Sequence, residues 1–278
     1  AIDNGWSPYD VLPDSSVTYV DPAGNVWQPR NAEGESTGQL LTLREALARS
    51  VNTVSARLVL QVGARNVAFY ARRMGIKSPL EEVPSLALGT SNVTLLELVS
   101  AYATLASGGL YYEPTVVTRI EDASGNVLYE ARPVPREAIS EETAYTVVDM
   151  LRDVIRYGTG TRIRWQFGLT RYDFAGKTGT TQNSADGWFI LMHPELVTGA
   201  WVGFNDPRVT FRTHWWGQGA HNALFIVGDF WRRMEQAPDI EISNATFPLP
   251  IGLHQPGTDS LRQERRITPE LNQRRVGW

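Results

Sequence analysis

The spacing of apolar residues changes near residue 110, from a helical period to the alternation of β-strands. Before that point, apolar positions recur every three or four residues in four stretches that predict helices. These stretches are residues 43–50, 53–63, 64–75 and 93–109. Two of them open on a capping box, formed by Thr42 with Glu45 and by Thr94 with Glu97.

After that point, strand patterns lie between two further amphipathic helices, and the predicted helices are 140–158 and 221–235. The predicted strands are 115–122 with 127–130 as a hairpin, 172–181, and 187–193 with 196–205 as an antiparallel pair. This order of elements predicts an α+β fold, with an antiparallel β-sheet flanked by helices and a separate helical lobe. The junction between the sheet and the lobe is the expected cleft.

The two ends of the chain differ from this body. Asn4-Gly5 is a helix C-terminal signal with three residues before it, so we expect the chain to begin in the last turn of a helix whose body lies upstream. A frayed end of a complete domain is the alternative. At the other end, residues 255–278 are polar and rich in Arg and Gln. We therefore predict one domain over 1–236, incomplete at its N-terminus, and a partly disordered extension over 237–278.

Composition excludes several classes of function. The 278 residues carry a net charge of −4, which gives no basic excess for nucleic acid. Cysteine is absent, and the four histidines show no paired spacing, so neither a thiolate metal site nor a zinc enzyme is expected. We expect no cofactor. No stretch approaches 18 consecutive apolar residues, so the sequence predicts no membrane span.

Lys177 is one of two lysines in a chain that otherwise uses arginine. It lies in the run Lys177-Thr178-Gly179-Thr180, where an ammonium, two hydroxyls and backbone N–H groups can gather in a small space. Such a group of donors suits a carboxylate and a developing oxyanion. The alternative is a Gly- and Thr-rich edge strand with a surface lysine, and the run by itself does not decide between them.

Ser50 and Asn52 form a second candidate, at the junction of two predicted helices. A hydroxyl and an amide two residues apart can face a cleft there. The same pattern recurs at Ser124 and Asn126, where a hairpin turn needs these residues for its backbone. On spacing alone, helix capping is the better explanation of Ser50 and Asn52.

Taken together, the elements resemble the transpeptidase domain of a class A, bifunctional penicillin-binding protein. S-x-N and K-T-G elements belong to the motif set of penicillin-binding proteins and class A β-lactamases. The resemblance extends to LREALARSVNTVSARL, LALGTSNVTLLELVSAYATLASGG, YGTGTR, FAGKTGTTQNSADGWF and TGAWVGFND, and covers about residues 1–236. It implies the penicillin-binding and serine β-lactamase-like transpeptidase fold.

The resemblance also implies a serine acyltransferase that cross-links peptidoglycan stem peptides and binds β-lactams. By that resemblance, Ser50 relays a proton to the leaving amine and Asn52 binds the amide of the donor peptide. Lys177 stabilises the substrate carboxylate, which Thr178 and Thr180 bind. The N–H of Thr180 supplies half of the oxyanion hole, and Gly179 lets the substrate lie along the strand. The implied partners are the D-Ala-D-Ala donor, the amine acceptor and β-lactam antibiotics.

One part of the family pattern is absent. S-x-x-K, which carries the nucleophilic serine, would need Ser at 74 or 174, and those residues are Met74 and Phe174. We expect the nucleophile upstream of Ala1, so that the parent protein is active and these 278 residues alone are not. The first alternative is a non-catalytic homologue that binds peptidoglycan or a partner. It is the weaker reading, because a binding protein has no need of both S-x-N and K-T-G.

A D,D-carboxypeptidase or a β-lactamase, which pass the acyl group to water, is the second alternative. A class A β-lactamase needs an activating glutamate between Asn52 and Lys177, and nine glutamates lie in that span, so its absence cannot be argued. By resemblance, the parent protein would lie at the periplasmic or extracytoplasmic face of the bacterial cytoplasmic membrane. A membrane anchor and a glycosyltransferase domain would belong to the missing N-terminal region.

Overall fold

The structure, a computed structural model, describes residues 1–32, 34–206 and 208–249. The helices are α1 (Leu43–Arg49), α2 (Asn52–Val62), α3 (Ala64–Arg73), α4 (Leu95–Ala106), α5 (Glu141–Arg156), α6 (Arg162–Trp165), α7 (His214–Gly217) and α8 (Ala223–Gln236). Short 3₁₀ segments cover Ile2–Asn4, Pro84–Leu88 and Gln182–Ser184.

The strands are short, except for those of one sheet. They are β1 (Val11–Pro13), β2 (Tyr19–Val20), β3 (Val26–Trp27), β4 (Leu40–Thr42), β5 (Leu110–Tyr111), β6 (Arg119–Glu121), β7 (Val127–Glu130), β8 (Arg136–Glu137), β9 (Ala175–Thr180), β10 (Asp186–His193) and β11 (Leu196–Gly203). β9, β10 and β11 form an antiparallel sheet in the order β11-β10-β9, and the other strands pair two by two.

Helices cover both faces of the three-stranded sheet because its central strand is apolar on both sides. Phe189 and Leu191 of β10 pack in one cluster with Leu224 and Trp231 of α8. Met192, on the opposite face of the same strand, packs with residues of α4 and α5. The alternation of side chains along β10 thus separates two layers of helices.

The helical lobe has its own core and is tied to α5 by a buried arginine. A third cluster joins α1, α2, β1 and β4. Arg44 of α1 is 5% exposed. Its Nη2 donates to the carboxylate of Asp149 at 2.6 Å and to the carbonyl of Asp149 at 2.8 Å, and its Nε pairs with Asp153. This network fixes the position of α1, whose last turn leads into Ser50.

Residues 237–249 pack against the domain that precedes them. Phe247 is 2% exposed and belongs to the cluster of α4 and α5. Its N–H donates to Asp173 at 2.9 Å, and its carbonyl accepts a bond from Arg152 at 2.9 Å. The predicted extension is described to residue 249, and the disorder predicted beyond that point lies outside the described residues.

Most predicted elements are present. Both capping boxes form, at Thr42 and at Thr94, and Ser140 caps α5 through the N–H of Thr143. Gly5 adopts the left-handed conformation at φ 85° and closes the turn Ile2–Asn4. None of the described helices is long and apolar enough to cross a membrane.

Three predicted strands are too long: 172–181 is a strand only over Ala175–Thr180, 196–205 is one only over Leu196–Gly203, and 115–122 departs most from the structure. The strand pattern of 115–122 holds only for β6, Arg119–Glu121, which pairs with β7. Val116 is 94% exposed, so this segment has no packed layer beneath it. Thr118 makes one backbone bond, from the N–H of Ala131, and residues 115–117 have no partner strand among the described residues, so apolar alternation alone did not make this segment a strand.

Candidate active site

β9 is an edge strand in the described part of the chain, where one of its edges has no partner strand. Among the described residues it pairs with β10 alone, with Lys177 opposite Ile190 and Gly179 opposite Trp188. The N–H of Thr181 donates to Asp186, which extends the same ladder. In an antiparallel pair, alternate residues bond to the partner, so the N–H groups of Thr178 and Thr180 point to the free edge.

Lys177 reaches from this strand to the helical lobe. Its Nζ donates to the hydroxyl of Ser50 at 2.8 Å and to the carbonyl of Thr178 at 2.9 Å. The contact with Ser50 joins two candidates that are 127 residues apart in the chain. The sheet and the lobe therefore meet at Lys177 and Ser50.

The Lys177 ammonium is a destabilised cation. Within the described part of the chain, no carboxylate forms an ion pair with it. Burial lowers the pKa of Lys177 from its ordinary 10.5 to about 8. A lysine with such a pKa exchanges its proton readily near neutral pH, which a surface lysine does not.

Ser50 lies at a sharp corner between α1 and α2. Its backbone is in the left-handed region, at φ 57° and ψ 47°, and its N–H closes α1 on Ala46 and Leu47. Ser50 is thus the C-cap of α1, and the capping bonds are made by its backbone N–H rather than by its side chain. Its side chain is left for Lys177. Val51, not Asn52, is the N-cap of α2, and its side chain makes no capping bond.

Asn52 begins α2 and is the third polar residue of this corner. Its Nδ2 donates to the carbonyl of Arg30 at 2.8 Å. This bond fixes the amide and leaves its Oδ1 as an acceptor. No contact between Asn52 and Lys177 exists among the described hydrogen bonds.

The two threonines of the strand have different environments. Thr178 is 8% exposed, and its Oγ1 lies 2.6 Å from the Oγ1 of Thr159. Thr180 is exposed, and its Oγ1 accepts the N–H of Gly219 at 3.1 Å. Sequence reasoning noted the run around Thr159 but gave that residue no role, and it missed Gly219.

Gly179 is confined by its neighbour across the ladder. A Cβ at this position would lie 3.0 Å from the Cβ of Trp188. A side chain at this position would therefore be tight against β10, whether or not a ligand approaches the strand. Its predicted role toward a substrate stays a prediction.

Asp186 and His214, beyond the end of β9, have local partners. Asp186 accepts the indole N–H of Trp201 at 2.9 Å, and Nδ1 of His214 lies 3.2 Å from the hydroxyl of Ser184. In the described part of the chain, no three His, Asp or Glu residues are grouped so that they could hold a metal ion.

Comparison with known proteins identifies related sequences. A family model described as the penicillin binding protein transpeptidase domain matches residues 1–195. Penicillin-binding protein 1A of Neisseria lactamica is 34% identical over 240 residues, which cover 84% of this chain and 29% of that protein. Penicillin-binding protein 1A of Pseudomonas aeruginosa is 33% identical over 272 residues, 78% of this chain and 32% of that protein.

Solved structures show the same likeness. Penicillin-binding protein 1A of Haemophilus influenzae superposes with a TM-score of 0.79 at 26% identity, over 90% of this chain and 42% of that one. PonA1 of Mycobacterium tuberculosis, solved in complex with penicillin V, gives 0.72 at 27% identity, over 90% and 68%. The chain thus spans less than a third of the length of the curated relatives it matches.

Proposed function

The chain belongs to the penicillin-binding protein transpeptidase domain family, and from that premise we propose that it forms part of a peptidoglycan D,D-transpeptidase. The reaction is serine acyl transfer, which cross-links stem peptides, and the same site binds β-lactams. The observation that carries this proposal is the 2.8 Å bond between Lys177 and Ser50.

Lys177, Thr178 and Thr180 bind the terminal carboxylate of the donor peptide. An ammonium with no carboxylate partner among the described residues is an available cation for that anion. Hydroxyl donors beside it add directional hydrogen bonds, which are stronger toward an ionised acceptor. The arrangement favours a peptide that ends in a free carboxylate.

Ser50 and Lys177 move the proton. The serine nucleophile passes its proton to the lysine of S-x-x-K as its oxygen adds to the carbonyl carbon between the two D-alanines, and the C–N bond to the last D-alanine then breaks. The leaving nitrogen takes its proton from the Ser50 hydroxyl, and the ammonium of Lys177, whose Nζ donates to that hydroxyl at 2.8 Å, replaces it. The acyl group then passes to an amine of a neighbouring stem peptide.

The free edge of β9 receives the donor peptide as an added strand. The N–H groups on this edge are unused by β10 and can pair with an extended peptide. Within that arrangement the N–H of Thr180 provides half of the oxyanion hole. The amide oxygen of Asn52 accepts a hydrogen bond from the peptide's backbone.

The nucleophile itself lies outside these 278 residues, since no S-x-x-K occurs in them. We assign it to the region upstream of Ala1 in the parent protein. We place the parent protein at the extracytoplasmic face of the bacterial cytoplasmic membrane, on the strength of its membership of this family. A membrane anchor and a glycosyltransferase domain belong, in this proposal, to parts of the protein that the chain does not include.

Labelling with a fluorescent penicillin tests this proposal. A form of the protein extended upstream of Ala1 should become covalently labelled, and the 278 residues alone should not. Stable labelling of the short chain would contradict the assignment of the nucleophile. An extended form that carries S-x-x-K and stays unlabelled would favour the non-catalytic homologue.

The lifetime of the labelled protein separates the remaining alternatives. A transpeptidase holds the acyl group because its site disfavours water as the acceptor, whereas a β-lactamase releases it quickly. Rapid loss of label and turnover of the antibiotic would favour a β-lactamase. Release of D-alanine without cross-linking would favour a D,D-carboxypeptidase.

A further inference from the structure

The loop between α5 and α6 is wedged between the lobe and the sheet at Thr159. The N–H of Thr159 donates to the carbonyl of Ala48 at 3.2 Å, two residues before Ser50. A Cβ on Gly158 would lie 2.2 Å from the same carbonyl, so only glycine permits this approach. The backbone of this loop is therefore fixed against the end of α1.

The side chain of Thr159 is fixed against β9. Its Oγ1 lies 2.6 Å from the Oγ1 of Thr178, a residue that is 8% exposed. No other hydrogen bond of the Thr159 hydroxyl exists among the described residues. Each hydroxyl has one proton, so only one of the two can donate in this contact.

The hydroxyl of Thr180, the second threonine of the strand, has a contact that fixes the direction of its proton. Its oxygen accepts the N–H of Gly219, a group that can only donate. The proton of Thr180 is therefore left for an acceptor in the cleft. If Thr159 is the donor in the contact between the two hydroxyls, the proton of Thr178 is likewise left for another acceptor.

We propose that Thr159 is a positioning residue, which donates to Thr178 and so directs the Thr178 proton toward the substrate carboxylate. This inference rests on the proposed function. The two hydroxyls then form a chain that ends on the anion, and such chains strengthen when their last acceptor is charged. Thr159 touches no substrate and acts through Thr178.

The test uses the upstream-extended protein and two ligands, a penicillin and its methyl ester, which lacks the charged carboxylate. Thr159→Val should lower the acylation rate constant for the penicillin about tenfold, as expected for one lost hydrogen bond toward a charged group. For the methyl ester, the change should be less than about twofold. Thr159→Ser, which keeps the hydroxyl, should restore the preference for the charged ligand.

Thr161→Val is the matched control, because this threonine lies on the same loop and its side chain makes no capping bond. It should leave both rate constants unchanged. An equal loss for both ligands in Thr159→Val would mean a structural role and would overturn the inference. An unchanged preference in that variant would overturn it as well.

Two further outcomes separate this inference from the proposed function. If the wild-type protein acylates but the preference for the charged ligand does not depend on Thr159, only the inference fails. If the wild-type protein is never acylated, both fail. Should Thr159→Val not fold, judged by its thermal melting curve, Thr159→Ala takes its place with the same expected loss of preference.

Discussion

The two lysines of the chain lie in opposite surroundings. Lys77 is exposed and forms an ion pair with Glu113, its Nζ 2.5 Å from the carboxylate, which raises its pKa. Lys177 has a hydroxyl and a carbonyl for partners, and burial lowers its pKa to about 8. The same side chain is thus a solvated charge in one region and, in the other, an ammonium whose pKa is lowered by burial.

The two Ser-x-Asn patterns repeat this contrast. At Ser124 and Asn126, both backbone N–H groups donate to Asp122, whose carboxylate organises the hairpin turn. At Ser50, the turn is made by the backbone and the hydroxyl is released to Lys177. The comparison teaches that a pattern of residue types gives the candidates, whereas the surroundings of each copy decide its chemistry.

Removing the amine in each region should give the largest difference. Lys177→Ala in the upstream-extended protein should slow penicillin acylation about 10²–10³-fold, because a charged donor to the carboxylate is lost. Lys77→Ala, the matched control, should change the rate less than about twofold. Stopped-flow measurement of acylation gives both values. Equal effects of the two substitutions on the acylation rate would contradict the different roles assigned to Lys177 and Lys77.

Removing the hydroxyl of each Ser-x-Asn pattern should give a smaller difference. Ser50→Ala should lower the acylation rate about 10²-fold, since the leaving nitrogen loses its proton donor. Ser124→Ala should have no effect on acylation. The decisive measurement is the dependence of the acylation rate on pH. If Ser50 relays the proton, this pH–rate profile should become flatter in Ser50→Ala. A pH–rate profile of unchanged shape would mean that Ser50 does not transfer the proton.

The pKa of Lys177 predicts a modest effect on stability. Below pH 8 the folded and unfolded chains both keep the proton, and the folded chain bears the cost of a half-buried ammonium. Between pH 8 and 10.5 the unfolded chain binds more protons, so the free energy of unfolding rises with pH. Compared with Lys177→Met, which cannot titrate, wild type should therefore gain in Tm across this window. The gain should be limited to a few °C, because the side chain is only half-buried and solvent weakens the effect.

The same chain offers an independent control for that prediction. Lysine-selective isotope labelling should give two side-chain signals in an NMR titration, because the sequence has only two lysines. One signal should titrate near pH 8 and the other above 10.5. Two coincident titrations would contradict the assigned surroundings of both residues.

The sequence predicted the parts of the fold that depend on local chemistry. The capping boxes at Thr42 and Thr94 use residues three apart, so short-range spacing is enough to locate α1 and α4. The strands β10 and β11 follow from alternation and a two-residue turn. The scarcity of lysine indicates Lys177 as a candidate site residue without any knowledge of its contacts.

The sequence did not predict features that arise when distant segments pack. Arg44 is buried only because Asp149 and Asp153 approach it from α5, and its own neighbours in the sequence give no sign of this. The partners of Thr178 and Thr180, which are Thr159 and Gly219, come from two separate loops. Their glycine-rich sequences indicate turns but not which strand the turns contact.

The left-handed backbone of Ser50 bears on how this domain would respond to selection for heat resistance. Glycine adopts φ 57° without steric cost, whereas a residue with a Cβ gives up about 1 kcal/mol there. A library screened only for survival at high temperature would therefore enrich Ser50→Gly and discard the hydroxyl together with the strain. Directed evolution of the upstream-extended protein therefore has to score penicillin labelling alongside melting, because selection for melting alone would remove the hydroxyl of the proposed proton relay.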